Sequence, residues 1–313
     1  MKAVIAETQG GPSNLVFHEN NDFAGVNYVD VYFRSGVYPS PNNRPGIIGQ
    51  EASGTIVEIK GTPATDLKVG DSVVWISQGA YAEYTALPAE RVFKIPEGVS
   101  RQDAVGGFLA GMTALTLVEE AYPVQKGQTV LVHAAAGGLG SILVQVLRGI
   151  GAVTIGTAGG PTKCALAAKH GANHVIDYSA TSGPSWVEQV QRLTGGQGVD
   201  VVFDLTGKST WEGSIAVTNR KGKVVYVAIA SGPIPPFRLE LLTPKNLSVI
   251  RPTLAAFIAT REELQHYANG ILAKIRDGTV KVDVTKIYGL ADAHRAHEDL
   301  ESQRTTGKIL LKL

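Results

Sequence analysis

The chain has 313 residues, which at about 150 residues per domain is enough for two. Hydrophobic residues make up 44% and charged residues 18%, the balance of a globular protein with a sizeable core. A formal net charge of +1 with scattered charges gives no field to draw in nucleic acid or a membrane surface, and the single cysteine, Cys164, excludes an internal disulfide and a multi-cysteine zinc site. The opening MKAVIAETQGG lacks the long apolar core of a signal peptide. No stretch reaches the roughly 18 unbroken apolar residues of a membrane span. The expectation is a soluble, cytoplasmic protein.

Residues 1 to 110 or so are rich in glycine, proline and short β-like runs. Strands are predicted at Ala3–Ala6, Thr55–Ile59, Ser72–Ile76 and Ala82–Leu87, with Asp66–Asp71 as a turn into the third. This reads as an irregular, mostly β domain. Between Ser100 and Tyr122 the period becomes helical, with Ala114, Leu115, Leu117 and Val118 facing inward.

From Gln128 strand and helix alternate. Strands are predicted at Thr129–Ala134, Val153–Thr157, His174–Asp177, Val199–Leu205 and Lys223–Ala228. Helices between them include Lys163–His170 and Trp186–Leu193. Such alternation argues a parallel, doubly wound sheet. After Lys245 the pattern breaks. A helix is predicted over Arg261–Asp277, capped by Thr260 with Glu263 completing a capping box, and another over His294–Gln303. The terminal KILLKL is strand-like. This tail is too short for its own core, so it is expected to return to the first domain.

The stretch TVLVHAAAGGLG, Thr129–Gly140, is a strand, a Gly-rich turn and the start of a helix carrying Leu139, Ile142, Leu143, Val146 and Leu147 at helical spacing. Small residues let backbone N–H groups approach a pyrophosphate at a helix N-terminus. Ala135 stands at the first position of the G-x-G-x-x-G fingerprint, with Gly137 and Gly140 at the others. Ala135, Ala136, Gly137, Gly138, Leu139 and Gly140 are therefore candidate cofactor-binding residues. NAD-binding units carry an acid about 20 positions later, on the ribose 2′-hydroxyl. Here no acid lies between Gly140 and Lys163; the next is Asp177. The turn offers Thr157, two glycines and Lys163, which favours the 2′-phosphate of NADPH.

The turn HAAAGGLG, the upstream GVNYVDVYFRSGVYP, the segment EASGTIVEI with VGDSV, and the terminal DLESQRTTGKILLKL together resemble the zinc-free NADPH:quinone oxidoreductases. These belong to the medium-chain dehydrogenase/reductase superfamily and include the zeta-crystallins. The resemblance implies an α/β fold: a GroES-like, mostly β catalytic domain from residues 1–112 and 247–313, and a Rossmann NADPH-binding domain over 113–246. It also implies a homodimer through Rossmann edge strands, here Lys223–Ala228 and its continuation. By motif match, Asn27, Tyr32 and Tyr38 line the nicotinamide and quinone site, and Thr113 contacts the nicotinamide end. Lys163 and Tyr178 grip the 2′-phosphate, and Gln303 or Arg304 closes over it. The family usually has Arg where this chain has Gln303. Two other departures stand out. Some fifteen residues common in the family are missing at Glu19–Asn21. The family's Phe-Gly-Asn run is replaced by Val227-Ala228-Ile229, with Ser231 retained just beyond.

The superfamily's zinc members carry a His in a Gly-His-Glu motif, whereas this chain has Gly49-Gln50-Glu51. Only His294 and His297 share helical spacing, and surface polarity accounts for them. Hydride transfer from NADPH to a quinone needs no Lewis acid, because the acceptor is electrophilic and its product aromatic. Asn27, Tyr32 and Tyr38 could hydrogen-bond the oxygen where charge develops; the competing reading of the tyrosines is loop packing. Ser141, Ser231 and Cys164 lack the surroundings of a nucleophile, and no G-x-S-x-G elbow exists. Two further readings stay open: a reductase of activated C=C bonds in enones or alkenals, and an RNA-binding or structural zeta-crystallin-like protein, against which the balanced charge argues.

Overall fold

A computed structural model describes residues 5–6, 15–16, 22–39, 46–60, 66–180 and 182–313. The chain forms two compact units, Met1–Ala110 with Ala268–Leu313, and Gly111–Tyr267. The Glu19–Asn21 junction lies outside the described residues.

In chain order the first unit opens with β1 (Ile5–Ala6), β2 (Leu15–Val16), β3 (Phe23–Val26), α1 (Tyr28–Ser35), β4 (Gly46–Ile47), β5 (Glu51–Thr55), β6 (Ser72–Ile76) and β7 (Val92–Lys94). α2 (Arg101–Thr116) follows and ends in a π-helical turn, Leu117–Ala121. Its Ala114, Leu115, Leu117 and Val118 are buried, as the spacing predicts. By length and composition Arg101–Ala121 could cross a membrane, but 78% of its apolar window is buried in the structure, which makes it a core helix.

The second unit continues with β8 (Thr129–Val132), α3 (Gly138–Ile150), β9 (Val153–Ala158), α4 (Pro161–His170), β10 (His174–Asp177), α5 (Trp186–Leu193), β11 (Val199–Asp204), α6 (Trp211–Val217), β12 (Thr218–Tyr226), β13 (Ser248–Ile250) and α7 (Leu254–Phe257). α8 (Arg261–Arg276) spans the unit boundary, and the chain ends with β14 (Val284–Gly289), α9 (Ala293–Glu301) and β15 (Lys308–Lys312). The Thr260–Glu263 capping box forms: Thr260 N donates to Glu263 Oε2 at 2.8 Å and Glu263 N to Thr260 Oγ1 at 3.2 Å.

β15 returns to the first unit, antiparallel to β3, in a six-stranded sheet of order β14-β15-β3-β5-β6-β7; a smaller sheet has the order β2-β1-β4. Ala52, Val73, Trp75, Ile309 and Leu311 pack there with Tyr81, Tyr288, Ala293 and Ala296. The strand predicted at Thr55–Ile59 ends where it was to begin. Thr55 pairs with Ser72, the first residue of β6, and beyond it only Ile56 is held, by the turn before β6: its N–H bonds Asp71 O at 3.1 Å and its carbonyl accepts from Gly70 N at 2.8 Å. The strand predicted at Ala82–Leu87 does not form. The free side of β6 is taken by β7, and Thr85 Oγ1 instead bonds Gly79 O at 3.1 Å.

The second unit is a fully parallel sheet of order β10-β9-β8-β11-β12-β13, which is the 3-2-1-4-5-6 Rossmann order. Leu131, Ile155, Val202 and Val224 pack with Trp211 and Ile215 of α6. On the other elements of this unit, α3 buries Ile142, Leu143, Val146 and Leu147. Two expectations are corrected. The first is that Lys223–Ala228 is an edge strand. It corresponds to β12, which is interior, because Lys223–Val225 pair with Ser248–Ile250 and make β13 the edge. The second is a domain boundary at residue 247. The compact second unit runs on to Tyr267, and the β12–β13 pairing holds Ser248–Ile250 of that stretch in its sheet.

Candidate active site

The Gly-rich turn of the second unit lies at the C-terminal end of β8, beside the point between β8 and β11 where the strand order reverses. Ala134 takes a left-handed conformation, φ 51°, and turns its carbonyl toward α3. A Cβ on Gly140 would stand 2.2 Å from that oxygen, so only glycine permits this approach. Gly137 caps α3 without a side chain, leaving the first-turn N–H groups and the positive end of the helix dipole without a built-in anion. Ala135 departs from the fingerprint at no steric cost, because a glycine opposes it: a Cβ on Gly156 would come within 2.9 Å of Ala135 Cβ. Ala136, Gly138 and Leu139 complete the turn into α3.

The residues expected at a 2′-phosphate stand beyond the ends of β9 and β10: Lys163 in the first turn of α4 and Tyr178 just after β10. The Lys163 ammonium is held below the usual lysine value by burial. Half-exposed Tyr178 lays its ring on Gly159, where a Cβ would meet the ring at 3.0 Å. Asp177 Oδ1 also reaches this loop and accepts from Gly160 N (2.9 Å), Ser179 N (2.9 Å) and Ser179 Oγ (2.6 Å), bonds that keep its carboxyl ionised below the usual range. The structure places Thr157 differently from the sequence expectation. It is buried, and its Oγ1 lies 2.8 Å from His133 Nδ1. Buried His133, kept neutral by desolvation, also meets Ser214 Oγ at 3.2 Å. Ser214 in turn donates to Asp204 Oδ2 at 2.8 Å. Asp204 Oδ1 accepts from Thr206 N and Gly207 N, each at 2.9 Å. This network joins the ends of β8, β9 and β11 beneath the turn. The Ser231 hydroxyl is engaged locally, donating to Thr206 O (2.9 Å) and accepting from Ser209 N (3.0 Å), so the side chain braces its own loop. Thr113 is half-buried on α2, with its carbonyl accepting from Thr116 Oγ1.

The catalytic candidates lie in the first unit. Asn27 is the N-cap of α1, and Tyr32 sits within that helix. Tyr38 follows the left-handed Gly36 cap, and its N–H bonds Tyr32 O at 3.0 Å. The Tyr32 and Tyr38 rings meet edge-on at 5.3 Å, so the structure brings this pair together. Gln303, left-handed at φ 56°, and Arg304 are exposed on the turn between α9 and β15 in the same unit.

Residue pattern alone does not reveal the polar chain behind α1. Lys308 Nζ donates to Glu51 Oε1 and to Asn27 Oδ1, both at 2.6 Å, and Asn27 Nδ2 donates to Glu51 Oε1 at 2.9 Å. Glu51 Oε2 accepts from Leu109 N at 2.7 Å. Asp30 Oδ2 accepts from Asn27 N (2.8 Å) and from Tyr81 OH (3.1 Å). Tyr81 OH lies 3.2 Å from His297 Nε2, His297 Nδ1 lies 2.7 Å from Arg34 Nη1, and Arg34 forks onto Glu301. His297 is therefore not surface polarity. It shares a buried helix face with Ala293 and Ala296, a spacing the sequence does contain. Among the described residues, no group of three or more His, Cys, Asp or Glu could hold a metal ion.

Two family models match: the alcohol dehydrogenase GroES-like domain over residues 20–97 and the zinc-binding dehydrogenase over residues 138–269. A quinone oxidoreductase of Salmonella typhimurium is 39% identical over 98% of this chain and 95% of its own. The chain belongs to the quinone oxidoreductase family. Within it, a crystal structure of the Escherichia coli quinone oxidoreductase complexed with NADPH matches this fold with a TM-score of 0.94 at 36% identity, covering all of both chains. A 2-haloacrylate reductase of a Burkholderia species is 33% identical over 99% of this family member and 98% of its own chain.

Two buried groups set a pH signature. Burial pushes Asp30 up to about 7, against the pull of Asn27 N–H and the Lys308 ammonium. Burial, with the Arg34 charge, pushes His297 down to about 3. As pH rises from 3.8 toward 7, the unfolded chain releases a proton that folded Asp30 keeps, which lowers stability. As pH rises from 3 toward 6.5, the unfolded chain loses the proton that folded His297 never takes up, which raises stability. The two slopes oppose each other between about pH 4 and 6.5. Asp30→Asn should leave the His297 slope alone, up to about 1.4 kcal/mol per pH unit. Urea unfolding at several pH values in this window reads the difference: a stability that climbs more steeply in the variant than in the parent is the expected result.

Proposed function

We propose that the chain is an NADPH-dependent quinone reductase acting without a metal. The observation that carries this reading is the turn in which Gly140 rests on Ala134 O beneath an uncapped α3 N-terminus, with Lys163 at the start of α4 and Tyr178 just after β10. A pyrophosphate fits the first feature and a 2′-phosphate the second. NADPH, when bound, supplies the hydride. Gly138, Leu139 and Gly140 hold the cofactor through the first-turn N–H groups of α3, while Ala135 and Gly137, whose N–H groups bond Thr157 O and Ala134 O, shape the turn together with Ala136. Lys163 and Tyr178 hold the 2′-phosphate, and Thr113 steadies the nicotinamide end. Thr157 and Ser231 act behind the site, through His133 and through the Thr206–Ser209 loop.

Tyr32 and Tyr38 orient the quinone and donate to the oxygen on which charge develops. Solvent protonates the product. The double-bond reductase reading is less favoured, since identity to the quinone oxidoreductases of Salmonella and E. coli is 39% and 38%, against 33% to the 2-haloacrylate reductase.

A second copy of the chain is the partner this reading includes. Among the described residues β13 pairs on one side only, and Leu239 and Leu241, exposed at 73% and 50%, stand shortly before it in sequence. Pairing of two β13 edges in a homodimer would use the open side and cover those leucines.

Three measurements test the proposal. Lys163→Glu should weaken NADPH binding at least tenfold more than NADH binding, read by fluorescence titration; equal losses would sink the phosphate role. Tyr38→Phe should lower kcat for 1,4-benzoquinone about tenfold with the NADPH Kd within twofold. Leu239→Glu with Leu241→Glu should shift the protein from dimer to monomer in sedimentation velocity; an unchanged dimer would place the interface elsewhere.

A further inference from the structure

The Asn27 carboxamide has both ends committed inside the protein. Its Nδ2 donates to Glu51 Oε1 at 2.9 Å and to Gly25 O at 3.3 Å, which uses both N–H bonds. Its Oδ1 accepts from Lys308 Nζ at 2.6 Å. The two residues that grip it are almost fully buried, with Lys308 and Glu51 side chains 5% and 0% exposed and their charged atoms 2.6 Å apart. They come from distant parts of the chain, β5 and the C-terminal β15. Glu51 is wedged against the main chain of Gly25, where a Cβ would stand 2.2 Å from its Oε1. The other carboxylate oxygen is tied to Leu109 N. Nothing in this arrangement can swing without leaving a buried charge unpaired.

Asn27 starts α1, and its own N–H is fixed by Asp30. The helix that begins there carries Tyr32, whose ring packs edge-on against Tyr38. A displaced Asn27 therefore moves the helix start and, with it, the tyrosine pair. We infer that Lys308 and Glu51 are positioning residues for quinone reduction: they clamp the Asn27 carboxamide and so fix Tyr32 and Tyr38, and Asn27 acts as the keystone of α1 and not as a donor to the quinone. This rests on the quinone-reductase reading for its kinetic consequence, but the clamp itself is a property of the folded chain.

The test is a double-mutant cycle between Asn27→Ala and Lys308→Met, with Glu51→Gln/Lys308→Met as the charge-neutral version that spares the fold an unpaired carboxylate. Lys308→Arg serves as the conservative rescue. Each variant is read by urea unfolding, by the NADPH Kd and by kcat and KM for 1,4-benzoquinone. Lys308→Met and the neutral pair should each lower kcat ten- to a hundredfold with the NADPH Kd within twofold, and Lys308→Arg should recover most of it. In the Asn27→Ala background the same Lys308→Met change should alter kcat less than twofold, because its target is gone. Multiplying effects, or a neutral pair with parental kcat, would overturn the positioning role. The unfolding arm stands alone: a coupling between Asn27 and Lys308 in the folding equilibrium of less than twofold would overturn the clamp even if the parent reduced quinones. A parent that reduces no quinone while that coupling is large would fault the functional reading and leave the clamp intact.

Discussion

An ammonium and a carboxylate, both taken out of water and 2.6 Å apart, hold the first unit together where its chemistry would be done. Taking such a pair from water is costly, and attraction repays it only when the remaining lone pairs and protons are also satisfied. Here they are taken up by Asn27 and Leu109 N–H. Removing one partner of a buried pair typically costs about 3–5 kcal/mol, so the C-terminal strand is bound to the helix start by electrostatics as well as by its ladder to β3. From Asn27 the chain of bonds runs through Asp30, Tyr81, His297 and Arg34 to Glu301, whose side chain is 35% exposed. Specific buried polar bonds of this kind fix one arrangement of α1 where apolar packing alone would allow several.

The second unit solves a different problem with neutral groups. A phosphate needs bare N–H groups and close backbone approach, which keeps the side chains of the turn small. Support comes from below. His133, Thr157, Ser214 and Asp204 link three strand ends at the point where the sheet reverses, and each hydrogen bond there is out of water. The exchange of the first fingerprint glycine for Ala135 is balanced by Gly156 across the turn. The space the fingerprint reserves is kept, but on the opposite strand.

The Rossmann unit was legible because its signals are local. Short β-branched strands, the helical spacing of Leu143 and Val146, and the Thr260–Glu263 box each lie within a few residues. The return of KILLKL to the first unit was legible from the length of the tail. The irregular β unit was not. Its strands are as short as two residues, and whether Thr55–Ile59 or Ala82–Leu87 pairs depends on partners far away in sequence. The edge position was missed for the same reason: β13 is only three residues long, SVI, and lies 22 residues past β12. In the site, Tyr32 and Tyr38 came from motif resemblance. Glu51, Lys308 and Arg34 belong to residue types usually found on surfaces, and only the fold brings them together. His297 was the exception, since its spacing from Ala293 marks the buried face of α9.

The most direct test of the account is NADPH oxidation followed at 340 nm with 1,4-benzoquinone, on protein dialysed against a chelator, beside the same assay with NADH. The account predicts quinone-dependent turnover that survives the chelator and is faster with NADPH. Absence of turnover with NADPH still bound, turnover restored only by added zinc, or a preference for NADH would contradict it.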